Sequence, residues 1–225
     1  SYECDSNIEI SEIIEGTMIN LFYHNDKWIL STRGAIGGTY FYFRNQYYVD
    51  VHSTTRQISF YDMFMEALQA DDNQMLNDNM LMKNMDKNYC YSFVMQHPDN
   101  HIVIPVRFPQ LYLTGVYKVD NVENNKFTTI SREVYENFDC FKNSVIHFPK
   151  IFETKDSFQD NLDAYTGLQE PYTNVGIMIY NKHSGVRCTA KTHSYLKLKE
   201  LRGNNPNLQY QYLSLRRIDK VKEFL

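Results

Sequence analysis

The chain has 225 residues, 43% of them apolar and 22% charged, which is ordinary for a soluble globular protein. Its net charge of −4 excludes a general electrostatic attraction to nucleic acid or anionic lipid, so any RNA contact requires a local basic patch. The 18 tyrosines and 14 phenylalanines favour a sheet-rich core.

No apolar run approaches the roughly 20 residues needed to span a bilayer, and the first residues lack the layout of a signal peptide. The scattered cysteines show no metal-ligand spacing, which favours reduced thiols and a cytoplasmic location. Because the sequence does not begin with methionine, we expect a fragment or a processed chain, with residues 1–225 forming one domain.

In the first half of the chain the spacing of apolar residues alternates between that of strands and that of helices. Apolar-rich runs at 17–23 and 28–32, joined by four polar residues, predict a β-hairpin. A further extended segment is predicted at 40–43. Apolar residues at helical spacing predict a helix over 59–70, and the Asp-, Asn-, Met- and Lys-rich residues 71–88 predict a partly helical connector.

The middle of the chain predicts strands at 89–95, 102–106 and 111–119. A turn is predicted between the first two at 97–100, and another at 121–125.

The remaining segments favour helices and a second hairpin. They are a capped helix from Ser131 to Phe138, a helix within 155–165, a hairpin of 175–180 with 186–191, a helix at 194–202 ending at Gly203, a loop at 204–207, a strand or helix at 210–215 and a basic helix at 216–225. Strands and helices do not follow a βαβ rhythm, so the predicted class is α+β.

Two segments of the first half resemble motifs of the RNA-ligase and nucleic-acid-ligase superfamily. The sequence IIEGT at 13–17, followed one hairpin later by Arg33 and Gly34, resembles the nucleophile motif K-x-D/E-G-[ST] and the Arg-Gly after it. The sequence FVMQHPDNHIV at 93–103 looks like the phage-type RNA-ligase pattern F-E-x-x-x-P-x-N-R-I-V.

Two later segments complete the series in the same order. VGIMI at 175–179 is similar to E-G-x-V-[IV], and RCTAK at 187–191, followed by Tyr195 and Leu196, is similar to the closing K-x-K strand. The resemblance implies a nucleotidyltransferase fold, like the adenylation domain of RNA and DNA ligases, with antiparallel sheets and flanking helices. It also implies homologues in phages and large DNA viruses, and hence a location in the host cytoplasm or in a virion.

The resemblance further implies a chemistry. In such ligases the motif lysine attacks the α-phosphate of ATP, two later carboxylates bind the sugar and a divalent ion, and the paired lysines offset phosphate charge. Here the nucleophile position holds Ile13, and the two acidic positions hold Val94 and Val175. Thr189 replaces the first lysine of the closing pair, and His101 replaces the arginine before I-V.

We therefore hypothesise a pseudoenzyme with no catalytic residue, no cofactor and no metal. The alternatives are an active ATP- and Mg²⁺-dependent RNA ligase and a viral scaffold protein. The retained positions form the expected nucleotide-binding remnant: Glu15, Gly16, Arg33, Phe93 and Lys191. The simpler alternatives are a core position for Phe93, a hydrogen bond to backbone for Glu15, and surface ion pairs for Arg33 and Lys191.

The expected partners are RNA, a nucleotide or another protein. No membrane association is expected. The RNA-binding candidates are Lys197, Lys199 and Arg202, which begin a basic stretch; a solvated helix face is the alternative. The alternatives for His97 and His101 are a metal site and a plain turn. The alternatives for the motif-like Lys118 are a catalytic lysine and an ordinary residue at a strand end.

Overall fold

A computed structural model describes residues 7–39, 58–121, 126–203 and 208–224. The chain divides into two compact units. The first unit comprises Ser1–Glu15, Ile102–Pro105 and Pro149–Leu225, and the second comprises Gly16–His101 and Val106–Phe148. Each unit is built on one sheet in which neighbouring main strands run antiparallel, so the predicted α+β class is confirmed.

The strands are β1 (Ile8–Glu12), β2 (Thr17–His24), β3 (Lys27–Ser31), β4 (Tyr89–Gln96), β5 (Gln110–Asn121), β6 (Lys126–Ile130), β7 (Ile146–His147), β8 (Ile151–Phe152), β9 (Gly176–Asn181) and β10 (Arg187–Lys191). The α-helices are α1 (Phe60–Ala67), α2 (Met80–Asn84), α3 (Arg132–Tyr135), α4 (Phe158–Thr166), α5 (His193–Arg202), α6 (Leu208–Arg217) and α7 (Val221–Phe224). Short 3-10 turns cover Leu76–Asp78 and Asp139–Phe141.

The second unit holds a six-stranded sheet in the order β3-β2-β4-β5-β6, with β7 parallel to β5. The predicted hairpin at 17–32 is confirmed as β2 and β3. Its turn residues Asn25 and Asp26 both have positive φ, which is the conformation that a two-residue turn between twisted strands requires.

The core of the second unit lies between this sheet and α1, the helix predicted within 59–70. The helix begins at a capping box, in which the Ser59 hydroxyl accepts the N–H of Asp62 and the Asp62 carboxylate accepts the N–H of Ser59. Met63 and Phe64 are then buried against the sheet, together with a large cluster of strand residues. Burial of these aromatic and aliphatic side chains is the main stabilising contribution in this unit.

The first unit holds a four-stranded sheet in the order β10-β9-β1-β8, which contains the predicted hairpin at 175–191. Alternation along the strands gives the sheet two different faces. Ile10 lies opposite Ile179 and both are buried in a small core with Ile177. The opposite face of the sheet carries Thr189, which is exposed on β10, the strand that precedes α5.

Several predicted elements need correction. The strand predicted at 102–106 is wrong, because residues 102–104 form bends. The helix predicted from Ser131 to Phe138 is shorter and ends at Tyr135, and the basic helix predicted at 216–225 is interrupted where Asp219 adopts positive φ. Residues 210–215 are helical. Strands β1, β6, β7 and β8 were not predicted.

Some predictions fall where nothing is described: the segment 40–43, residues 122–125 of the predicted turn, the loop at 204–207, and Cys4. Cys90, Cys140 and Cys188 carry free thiols. Among the described residues, no helix has the length and apolar character needed to cross a membrane.

Candidate functional site

Three of the motif-like segments lie side by side in the first unit. The backbone N–H of Ile13 donates to the carbonyl oxygen of Gly176 at 3.0 Å. Gly176 is in turn the register partner of Lys191 on β10. The nucleophile-motif position, the glycine of the later motif and the closing lysine therefore form one row across the sheet edge.

The side chains of this row do not supply the ligase chemistry. Ile13 is half-buried and carries no nucleophilic atom. Val175 is buried, and Thr189 is exposed on β10 opposite Met178. The backbone geometry that joins the motifs is present, while a nucleophile and an acid are missing from the positions where the resemblance would place them.

Glu15 has a structural role that explains its retention. Its Oε1 accepts hydrogen bonds from the backbone N–H groups of Ile102, Val103 and Ile104 at 3.0, 2.9 and 3.1 Å. The side chain is buried, so these donors replace the water that a carboxylate needs. The same three bonds bend residues 102–104 and prevent the strand predicted there.

Three side chains lie around this carboxylate, and with it they form a group that we call the lysine–tyrosine cluster: Glu15, Lys191, Tyr195 and Lys199. The Glu15 carboxylate lies close to the hydroxyl of Tyr195. The Nζ atoms of Lys191 and Lys199 each lie 5.9 Å from the centroid of the Tyr195 ring. Such distances are those of cation–π contacts.

The electrostatics of the cluster are those of a site with surplus positive charge. Partial desolvation lowers the pKa of the Lys191 ammonium, the nearby charge of Lys199 lowers it further, and Glu15 acts in the opposite direction. Burial raises the pKa of the Tyr195 hydroxyl, as do its hydrogen bond to Glu15 and the charge of that carboxylate. An anion bound between the two lysines would relieve their repulsion.

Sequence reasoning identified Lys191 and Lys199 separately but missed their convergence on Tyr195. The available signal was the motif-like Tyr195 four residues before Lys199, because residues at this spacing share one helix face. Arg202 continues that face, whereas Lys197 projects from a different side of α5. The prediction that Lys197, Lys199 and Arg202 bind RNA stays a prediction, and only Lys199 and Arg202 of the three share a helix face with Tyr195.

Two glycines of the motif-like segments lie where there is no room for a side chain. A Cβ on Gly176, where φ is +134°, would lie 2.0 Å from the carbonyl oxygen of Ala190. A Cβ on Gly16 would lie 2.4 Å from the carbonyl oxygen of Met95 and 2.7 Å from Cγ1 of Val94. Both positions exclude a side chain for reasons of packing that do not involve catalysis.

The second unit holds the other predicted residues. Phe93 is 0% exposed and packs edge-to-face on Phe64 with ring centroids 5.9 Å apart, so the prediction that it contacts a nucleotide is corrected to a core role. Val94 is buried, and Arg33 is exposed in a turn after β3. Lys118 is exposed within β5, as a plain strand residue would be.

The His97–Asn100 segment is a structural turn. His97 is buried and its Nδ1 accepts the N–H of Asp99, so its Nε2 donates to Glu66 at 3.0 Å. Asn100 is also buried and donates to the Thr17 hydroxyl at 2.7 Å. This bond ties the end of the P-x-N segment to the first residue of β2 within the second unit.

The donor set does not fit the divalent ion that the fold family implies. No group of three or more His, Cys, Asp or Glu side chains that could hold a metal occurs in the part of the chain that the structure describes. Within the lysine–tyrosine cluster the one carboxylate, Glu15, already accepts three backbone N–H groups on Oε1. Hard cations of this kind require several free oxygen ligands.

The fold is that of the nucleotidyltransferase domain of RNA and DNA ligases. A mutant of Naegleria gruberi RNA ligase with ATP and Mn matches with a TM-score of 0.55, at 9% identity, over 86% of this chain and 51% of that chain. A protein of Aquifex aeolicus described as an ATP-dependent DNA ligase matches with a TM-score of 0.54, at 14% identity, over 96% of this chain and 53% of that chain.

Viral proteins are similar in sequence. The chain is 22% identical over 213 residues to the Immediate-early protein ICP-46 homolog of Invertebrate iridescent virus 3, covering 95% of this chain and 41% of that protein. It is 26% identical over 113 residues to an RNA ligase of Rhodothermus phage RM378, covering 50% of this chain and 24% of that protein. No protein-family model matches. The chain thus spans less than half of these relatives, and the predicted RNA-ligase-like resemblance is confirmed for the fold.

Proposed function

We propose that this chain is a non-catalytic nucleotidyltransferase-fold module that binds the phosphates of a nucleotide or of an RNA end. The observation that carries the proposal is the position of Lys191 and Lys199 around Tyr195, on the strand and helix of the closing motif. The two ammonium groups repel one another, and a phosphate is the ligand that turns this repulsion into attraction.

The proposed absence of catalysis is supported by the side chains of the row beside the cluster. Covalent nucleotidyl transfer needs an amine in line with the α-phosphate, and the motif position holds Ile13. Val175, just before β9, and Thr189, on β10, supply neither a carboxylate nor a second cation. We propose that ATP binds without transferring AMP and that binding is independent of Mg²⁺, because Glu15 is engaged by backbone N–H groups.

Equilibrium binding of ATP in the presence of EDTA tests this proposal, measured by isothermal titration calorimetry. We expect Lys191→Ala and Lys199→Ala each to weaken binding about tenfold, the effect of one lost charge-assisted hydrogen bond. Lys197→Ala is the matched control, since it removes an exposed lysine from another side of the same helix. Equal loss in all three variants, or no ATP binding by the wild-type chain, contradicts the proposal.

A second candidate is an active ATP-dependent RNA ligase or adenylyltransferase, which the description of the phage relative as an RNA ligase favours. Transfer of label from [α-³²P]ATP to the protein with Mg²⁺ or Mn²⁺ distinguishes it. A third candidate, a viral scaffold in the cytoplasm or virion, is distinguished by a stoichiometric protein partner and no affinity for nucleotide or RNA.

A further inference from the structure

Strand β6 forms one edge of the six-stranded sheet of the second unit. Among the described residues it pairs with β5 alone, so its outer edge meets no other strand there. The residues 126–129 are exposed, whereas Ile130 packs against the core. On an edge strand, alternate backbone N–H and C=O groups point away from the sheet, where they can pair with a further strand.

An exposed apolar patch borders this edge. Phe127 is 63% exposed and lies opposite Val119 of β5, which is 44% exposed. The Phe127 ring packs edge-to-face on Tyr117, with ring centroids 5.9 Å apart. A strand added to β6 would cover part of this patch and would pair with the outer backbone groups of the strand.

Two of the other sheet edges are protected against strand addition. On β3, the side chain of Asn77 accepts the backbone N–H of Trp28 at 2.7 Å. The carbonyl oxygen of Leu30 on the same strand accepts the N–H of Gly37 at 2.6 Å. Strand β8 is two residues long, which leaves little backbone for pairing.

Strand β10 is protected against self-pairing by its charges. Its first and last residues are Arg187 and Lys191, and both are exposed. Full antiparallel overlap of β10 with a second copy would set Arg187 of one chain opposite Lys191 of the other. Like charges directly opposite one another destabilise a strand pair, so this edge does not suit a second copy.

The residues of β6 suit antiparallel pairing with a second copy of the same strand. In the register that overlaps all five residues, Thr128 lies opposite Thr128 of the copy, and Phe127 lies opposite Thr129. Lys126 lies opposite Ile130, so no like charges meet. Aromatic side chains opposite β-branched ones are favourable cross-strand pairs.

We propose that two copies of this chain associate through β6, with a two-fold axis at Thr128 that joins their six-stranded sheets. Because directly opposite residues share a face, Phe127 of one copy is a diagonal neighbour of Phe127 of the other, within reach of an aromatic ring. The two apolar patches therefore become one. Since β6 is the one edge of this kind among the described strands, association ends at a dimer.

A second copy fits this edge better than a charged partner does. Residues 127–130 contain no charged residue, proline or glycine, so nothing in them selects a charged strand or opposes backbone pairing. A contact of one short strand buries less than the roughly 1,200 Å² of a standard interface, so we expect a weak, concentration-dependent dimer. The proposal is independent of phosphate binding, because β6 belongs to the second unit and the lysine–tyrosine cluster to the first.

Sedimentation velocity of the full chain over a range of concentrations tests the proposal. We expect a reversible monomer–dimer equilibrium, which Thr128→Lys weakens about tenfold because it sets like charges opposite one another at the axis. Thr128→Val removes the hydroxyl that donates to Asp120 but stays β-branched, so it should dimerise as the wild type does. Phe127→Ala should also weaken the dimer about tenfold. Phe108→Ala, which truncates another exposed phenylalanine of the second unit, should leave it unchanged.

Cysteine cross-linking with diamide as the oxidant tests the register. In a background with Cys4→Ser and Cys188→Ser, Thr128→Cys should give a disulfide-linked dimer, because directly opposite residues lie within disulfide range. Lys126→Cys is the matched control on the same strand. In this register the two copies of residue 126 lie about 13 Å apart, so they should not cross-link.

Four results overturn the proposal. They are a wild-type chain that stays monomeric at about 200 μM, dimerisation that Phe127→Ala and Thr128→Lys leave unchanged, equal cross-linking of the two cysteine variants, and association that continues beyond the dimer. Because the mutated residues of β6 are exposed, thermal unfolding of each variant as a dilute monomer should match that of the wild type. If Thr128→Lys does not fold, the Phe127→Ala and cross-linking results decide. ATP binding should stay at the wild-type level in every variant, so this proposal and the phosphate site fail separately.

Discussion

Ile13 donates its backbone N–H to the carbonyl oxygen of Gly176 at 3.0 Å, so the nucleophile position of the ligase motif is held beside the glycine of the later motif. The main-chain relationship between the two motifs is present without the side chain that would react. Retention of a fold and retention of its chemistry are separate properties, and we propose that this chain retains only the fold.

Restoring the nucleophile alone should not restore the reaction. We expect Ile13→Lys to form no covalent adduct with ATP and Mg²⁺, because Val175 and Thr189 still provide no metal ligand and no second cation. Gel autoradiography with [α-³²P]ATP measures this, with an active RNA ligase as the positive control. A labelled Ile13→Lys protein would show that the remaining site is competent.

Gly176 should be among the least replaceable residues of the first unit. Its positive φ and the 2.0 Å approach of the Ala190 carbonyl oxygen to a Cβ predict that Gly176→Ala lowers the free energy of unfolding by about 3 kcal/mol or more. Gly34→Ala is the control, because a Cβ there would meet no atom within 4 Å. Urea denaturation measures both variants, and equal stabilities would refute the packing explanation.

Glu15 should stabilise the loop at 102–104. We expect Glu15→Ala to lower the free energy of unfolding by about 2–4 kcal/mol, because three partly buried N–H groups lose their acceptor. Glu15→Gln keeps an Oε1 acceptor and should lose less. Hydrogen exchange at the amides of 102–104 should be faster in the alanine variant, and unchanged exchange rates would contradict the assignment.

ATP binding should weaken as pH rises, and should begin to do so below the pH at which an ordinary lysine loses its charge. The reason is that the pKa of Lys191 is lowered, while only its charged form attracts phosphate. Lys199→Gln removes the like charge and should raise the pKa of Lys191. NMR titration of the Lys191 ammonium measures this directly, with Lys197→Gln as a variant that should leave the titration unchanged.

The sequence was informative where local pattern and tertiary structure agree. The hairpin of β2 and β3 and the helix α1 follow from apolar period and turn chemistry. The apolar run at 102–104 has the pattern of a strand, but a carboxylate 87 to 89 residues away accepts its N–H groups. Strand β6 was missed because its side chains are almost all exposed and lack apolar alternation.

The candidate site was only partly predictable, because it too depends on contacts that local sequence patterns do not specify. The resemblance identified the motif positions Ile13, Val175 and Thr189, and the structure brings their segments together in the first unit. Composition alone does not distinguish Phe93 in the core from Phe93 at a ligand. The convergence of Lys191 and Lys199 on Tyr195 depends on how β10 leads into α5, which no local pattern specifies.

We propose that this chain binds nucleotide without becoming covalently nucleotidylated. Intact-protein mass spectrometry after incubation with ATP and either Mg²⁺ or Mn²⁺ tests this proposal. The expected result is the mass of the unmodified chain under both conditions. A mass increased by one adenylate, on any residue, would contradict it.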